Sequence, residues 1–211
     1  MPAFTVNAVR REANGRVFEL IGGHPALDLA NTLDWRFRAS GPGELLGCYG
    51  DVVGFSRQSR LISAGQARRL ADVNAAAAAR VVEKVRELRE TAAQVFYAAV
   101  GGESPSQSWL KRLASFFREA NAHRHPRWRA PRLEWEIPES PLSPELPLWV
   151  LSLSTGQLME SQDMRGLRAC DNPDCRWLFL DTSKNHTRRW CDMKICGNRM
   201  KARRFKASHR A

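Results

Sequence analysis

Apolar residues recur at helical spacing along most of this chain and at strand spacing only in short stretches. The clearest run is residues 75–102. There Val81, Val85, Leu88, Ala92, Val95, Phe96 and Ala99 make one stripe, Arg80, Glu83, Arg86 and Glu90 lie opposite, and Gly101-Gly102 ends the pattern. This predicts a long core-packing helix, preceded by a helical stretch between Ser63 and Asn74. Residues 104–123 predict another capped helix, with Trp109, Leu110, Leu113, Phe116 and Phe117 inward. Residues 49–63 predict one more, with Asp51 as a cap over Val52, Val53 and Phe55. Pro25, then Leu27, Ala30 and Leu33, predicts a brief helix broken by the glycines of 41–47. Residues 143–161 read as a helix whose first turn holds Pro144 and Glu145, after a Pro-rich loop at 138–147. Strand spacing appears at 16–23, which closes on a Gly turn. It returns at 132–137, where Leu133, Trp135 and Ile137 alternate with Arg132, Glu134 and Glu136 and predict one buried face.

At 211 residues the chain can bury one sizeable core, or one core plus a small module. Its 43% apolar and 26% charged residues are ordinary for a soluble globular protein. The net charge of +11 is not ordinary, and it is localised. Residues 165–211 carry 13 Lys/Arg against 4 Asp/Glu, whereas the 164 residues before them carry 20 against 18. Concentrated positive charge of this kind attracts a polyanion, most often nucleic acid. The first twenty residues show no apolar stretch of signal-peptide type, and no window reaches membrane-spanning length. The expectation is a cytoplasmic protein without a membrane partner, with thiols kept reduced.

Four of the five cysteines then acquire meaning. Cys170 and Cys175 form one Cys-x4-Cys bracket, and Cys191 and Cys196 form a second fifteen residues later. Paired thiolates at such spacing suit one structural, tetrahedral zinc ion, and four sulfurs leave no open position for catalysis. Asn172-Pro173-Asp174 makes a turn for the first knuckle, Trp177, Phe179 and Leu180 supply a small hairpin after it, and Gly197 precedes a basic helix. Knuckle, hairpin and helix in that order describe a treble-clef zinc finger. Cys48 stands apart and reads as a small buried residue. The fold class is therefore α+β: a mainly helical domain with a few strands over residues 1–163, then a small treble-clef finger over 164–211.

The segment from CDNPDC through Phe179, Asp181 and Ser183 to RRWC and Cys196-Gly197-Asn198-Arg199 resembles the CGNR zinc finger of bacterial proteins. Upstream, GHPALDLANT resembles the signature of the ABATE domain, which precedes that finger in the same family. The resemblance implies a stress-induced transcription regulator, with a ligand-sensing N-terminal domain joined to a DNA-binding finger.

On that finger Lys184, Arg188, Arg189, Arg199, Lys201, Arg203, Arg204 and Lys206 are the candidate contacts to double-stranded DNA. Arg189 and Arg199, beside zinc ligands, have an alternative role in bracing the metal loops, and Trp190 reads as finger core. In the first domain His24, Asp28, Asn31 and Thr32, with Arg57 or Trp35, are the candidate pocket for a small-molecule ligand. The competing role for Asp28 and Asn31 is to fix the turn. A single finger is a small footprint, so a homodimer through the N-terminal domain is an expected assembly. An RNA- or protein-binding finger is the alternative function. A treble-clef nuclease is disfavoured, because His186 and His209 have no partner acid at a suggestive spacing.

Overall fold

The computed structural model describes residues 11–12, 15–138 and 142–209. The reading of the first twenty residues as free of a signal stretch falls mostly on residues 1–10 and 13–14, outside the described residues, as do residues 139–141 of the Pro-rich loop. Strands β1 (Arg11–Glu12) and β2 (Gly15–Arg16) pair antiparallel. Helix α1 (Pro25–Asn31) follows, then the paired strands β3 (Leu33–Asp34) and β4 (Gly43–Glu44). Helices α2 (Tyr49–Gln58), α3 (Ala64–Arg69), α4 (Ala75–Gly101) and α5 (Gln107–Ala122) come next. The antiparallel hairpin β5 (His125–Arg129) and β6 (Arg132–Glu136) precedes α6 (Leu146–Glu160). Strands β7 (Leu167–Ala169) and β8 (Leu178–Leu180) then pair, and α7 (Asn198–Ser208) ends the fold. No helix among the described residues is long and apolar enough to cross a membrane.

Local chemistry explains the helix ends. His24 caps α1 by accepting from the Ala26 amide through Nδ1, and Pro25 occupies the first helical position, where no amide hydrogen is needed. Ser63 and Gln66 form a capping box at α3, Asn74 caps α4, and Ser106 caps α5. Helix α6 is apolar all round, so it is buried, packed against α1, α2, α4 and α5. It starts at Leu146, later than Pro144 suggests, and the Pro144 carbonyl accepts from the Tyr49 hydroxyl.

Several local expectations change. Of residues 16–23 only Arg16 is strand; the Phe18 amide donates to Gln58 Oε1 and Gln58 Nε2 donates to the Arg16 carbonyl, so a side-chain amide stands where a neighbouring strand would. Asp51 lies at the third position of α2, where its carboxylate accepts from the Gly47 and Cys48 amides. Cys48 itself is exposed, since the residue before a helix stays extended and here faces a surface groove. Leu110 and Ala99 are exposed, with Ala98 taking the buried position. The predicted buried face of β6 is also exposed. Register puts Trp128 opposite Leu133 and Pro126 opposite Trp135 on one face, but that face stays uncovered among the described residues, and only Ile137 reaches the core.

Candidate zinc centre and nucleic-acid interface

The hairpin β7–β8 runs on either side of the first knuckle rather than after it. The reason is its two-sided burial. Leu167, Ala169, Leu178 and Leu180 belong to the main core, whereas Cys170, Trp177 and Phe179 belong to a second cluster around the remaining cysteines. Strand periodicity thus sends alternate side chains into two cores.

In that second cluster the four Sγ atoms of Cys170, Cys175, Cys191 and Cys196 all lie within 4.8 Å of one another, and all four residues are buried. Cys175 and Cys191 are 3.7 Å apart, and Cys191 and Cys196 are 3.6 Å apart. Sulfurs held tetrahedrally at about 2.3 Å from zinc lie about 3.8 Å from each other. The donor set therefore fits one structural zinc ion. Four buried thiolates this close together would repel one another, so a cation is needed to hold them all ionised here.

Each loop of the site is braced. Asn172 is fully buried; its Nδ2 donates to Cys196 Sγ at 3.5 Å, and its carbonyl accepts from the Cys175 and Arg176 amides. Buried Asp181 accepts from the Ser183 amide and hydroxyl and from the Arg188 amide. The Arg188 guanidinium donates to the Trp190 and Cys191 carbonyls and lies 4.3 Å over the Phe179 ring. Gly197 allows close approach: a Cβ there would crowd the Met193 side chain and meet Trp190 at 3.2 Å.

The α1 residues reach this module. Asn31 clamps β8 twice, Nδ2 donating to the Leu178 carbonyl and Oδ1 accepting from the Leu178 amide, each at 2.9 Å. Asp28 Oδ1 accepts from the Gly22 amide at 2.7 Å, and the Gly22 carbonyl in turn accepts from the Leu180 amide. A side chain at Gly22 would press on that carboxylate at 2.9 Å. Thr32 donates to the Leu29 carbonyl and accepts from buried Arg89, which is paired with Glu44 at 2.7 Å. Trp35 leaves the first domain to become part of the zinc cluster, with Arg199 4.4 Å over its ring. Arg57, by contrast, is exposed on α2. Among the predicted pocket residues, then, His24, Asp28, Asn31 and Thr32 form one group, and their bonds go to backbone at the junction or to Arg89.

Two measurements follow. Replacing Asn31 by Ala strands a buried amide and carbonyl and is expected to cost about 2–4 kcal/mol. That corresponds to a fall in melting temperature of roughly 4–16 °C for a chain of this size, readable by calorimetry. Burial pushes the Asp28 carboxyl up to about 7, partly offset by the Gly22 and Ile21 amides. A raised carboxyl favours the protonated fold, so its contribution is complete below about pH 4 and is lost as pH rises through about 7. Asp28→Asn mimics the protonated form. With zinc in excess, its denaturation free energy relative to wild type is expected to improve between pH 5.5 and about 7 and then level off, by about 2 kcal/mol. A constant difference across that range rejects the assignment.

The predicted nucleic-acid residues divide into two groups. Arg188 and Arg199 are engaged as above, Arg189 pairs with Asp171 at 2.6 Å, and Arg203 pairs with Asp174 at 2.6 Å. Lys184, Lys201, Arg204 and Lys206 are exposed and make no ion pair among the described residues. Helix α7 has no buried residue at all. With 3.6 residues per turn, Arg199 and Arg203 share the side tied to the body, and Lys201 and Arg204 fall opposite. Phe205, which composition alone passed over, is 62% exposed and packs tilted against the His209 ring, centroids 3.9 Å apart. Sequence reasoning also missed Arg89, and it gave Asn172 only a turn and Trp35 only a pocket role, not their places at the zinc cluster. Only Arg89 left a signal, as a charge on the apolar side of the α4 stripe.

Four buried sulfurs in zinc-binding geometry, ahead of a basic helix and joined to a helical body, define a structural zinc-finger protein. The CGNR zinc finger family matches residues 166–209. The ABATE family, described as "putative stress-induced transcription regulator", matches residues 23–161, well over half the chain, and the chain belongs to it. Neither description names an enzyme. No curated protein matches the chain.

Proposed function

We propose that this is a cytoplasmic transcription regulator that binds duplex DNA through a treble-clef finger, residues 164–211, while residues 1–163 sense a small ligand. One observation carries the DNA half. Helix α7 leaves the zinc centre with no buried residue, and its outer side presents Lys201 and Arg204 without ion pairs among the described residues. A helix so placed can enter a groove while Lys184 and Lys206 neutralise phosphate. Arg188, Arg189 and Arg199 act chiefly as braces, and Arg203 exchanges Asp174 for phosphate, since an exposed pair holds it weakly. Asp28 and Asn31 act as braces of the junction, and sensing is assigned to the domain rather than to their side chains.

Exposed Phe205 favours a second reading, a finger that stacks on single-stranded RNA. Fluorescence anisotropy with labelled duplex DNA and single-stranded RNA, at 50 and 200 mM salt, separates the two. Tighter, steeply salt-dependent duplex binding is expected, and preference for the single strand replaces the first reading with the second. A nuclease role is not proposed. Four sulfurs fill a tetrahedral zinc, and the His186 ring is engaged with the Asp181 carbonyl. A homodimer would double the footprint of a single finger, and sedimentation at several protein concentrations tests it.

A further inference from the structure

We propose that a cleft at the C-terminal end of α2, between α6 and the β6 strand, binds a small molecule with an apolar or aromatic body and one carboxylate. This deepens the sensing half of the proposed function by giving it a place and a ligand class. The cleft is open to solvent and holds about 280 Å³, near the lower end for small-molecule sites. Leu146, Val150 and Trp135 are among the lining residues, Arg60 and Arg124 supply positive charge, and no Asp or Glu among the described residues lines it.

Three features mark the polar groups as available. Ser154 lines the cleft, is only 3% exposed, and its hydroxyl has no hydrogen bond among the described residues. Its neighbours on α6 behave differently: Ser152 and Thr155 return their hydroxyls to the Leu148 and Leu151 carbonyls. The Ser154 hydroxyl declines this ordinary bond and keeps some contact with solvent, so it is free to donate to an acceptor in the cleft. Arg60, likewise, has no side-chain partner among the described residues.

Arg60 also holds a conformation that glycine would adopt without strain. Its φ is 60°, its amide donates to the Arg57 carbonyl, and the Leu61 amide donates to the Ser56 carbonyl. That is the helix-ending motif in which glycine is the usual residue. An arginine there gives up backbone comfort and places a guanidinium at the mouth of the cleft. Arg124, whose Nη1 donates to Asn121 Oδ1 at 3.0 Å, lies 5.3 Å over the Trp135 ring, which places the second guanidinium beside an aromatic wall with its remaining donors open. Two guanidinium forks and a hydroxyl suit a carboxylate, and the floor suits a hydrocarbon or ring. The site is also connected to the finger: α6 packs on α1, whose Asn31 clamps Leu178.

The test uses the zinc-loaded full chain without DNA, titrated with benzoate and with uncharged benzamide by ligand-observed NMR. Failure here therefore leaves DNA binding untouched. Benzoate is expected to bind saturably with Kd of about 10 mM or tighter, as a ligand of about nine heavy atoms allows. Benzamide is expected to bind about tenfold more weakly, reflecting loss of the charge-assisted bonds. Arg60→Gly suits the backbone at this position and is expected to fold normally, yet to lose about tenfold in benzoate affinity while leaving benzamide unchanged. Ser154→Ala is expected to weaken both ligands. Equal binding of benzoate and benzamide, unaltered benzoate affinity in Arg60→Gly, or no saturable binding overturns the proposal.

Discussion

Removing the zinc, by a strong chelator or by Cys191→Ser, is expected to lower the unfolding temperature of the whole chain and not of the finger alone. The zinc cluster is too small to bury enough apolar surface by itself, so its folding free energy is mainly the metal's. For structural zinc that amounts to about 10–16 kcal/mol of binding free energy at neutral pH. The wider consequence comes from the shared hairpin. Leu178 and Leu180 lie in the main core while Trp177 and Phe179, between and beside them, lie in the zinc cluster. Loss of the cluster releases β8, and with it the Asn31 clamp and the apolar side chains that β7 and β8 add to the main core. A penalty of even about 4 kcal/mol passed to that core lowers its melting temperature by roughly 8–16 °C. Calorimetry with and without chelator reads this directly. A main transition that stays in place after the metal is removed would show that the two clusters fold independently.

The second large effect concerns α7. Reversing Lys201 and Arg204 together to Glu is expected to reduce duplex-DNA affinity on the order of 100-fold near 0.1 M salt, and to lower the slope of log K against log salt by about two. Both residues are exposed on the side of α7 away from Arg199 and Arg203, so the zinc content and melting temperature should not move. Arg199→Ala serves as the contrasting variant. It uncovers the Trp35 face and is expected to lower stability by about 0.5–2 kcal/mol, the worth of a cation over an aromatic ring, with little change in salt slope. If Arg199→Ala instead changes the salt slope and the double reversal does not, the side of the helix that meets DNA has been assigned the wrong way round.

The residues that set these expectations differ in how visible they were. The cysteine brackets were legible because metal geometry needs paired thiolates at short spacing, whatever surrounds them. The helices were legible because stripes such as Val81, Val85 and Leu88 follow from the helical repeat. Exposure of the β6 face was not, since alternation says that one face is apolar and leaves open whether anything covers it. Ser154 was equally silent. A serine in an apolar helix looks the same whether it returns its hydroxyl to the backbone, as Ser152 does, or leaves it unpaired in a cleft.

By itself, then, the sequence determined the zinc ligands, the helical class of the first domain and the concentration of charge at the end, because each rests on residue type and near spacing. Only the tertiary structure decided which cations are committed. Arg189 to Asp171, Arg199 to Trp35 and Arg203 to Asp174 are contacts with partners that one-dimensional spacing does not bring together. It also decided that Asn31 and Leu178, 147 positions apart, join the two parts of the chain. Hydrogen bonds and packing act over a few ångströms in space, and the fold alone says which distant residues come within that reach.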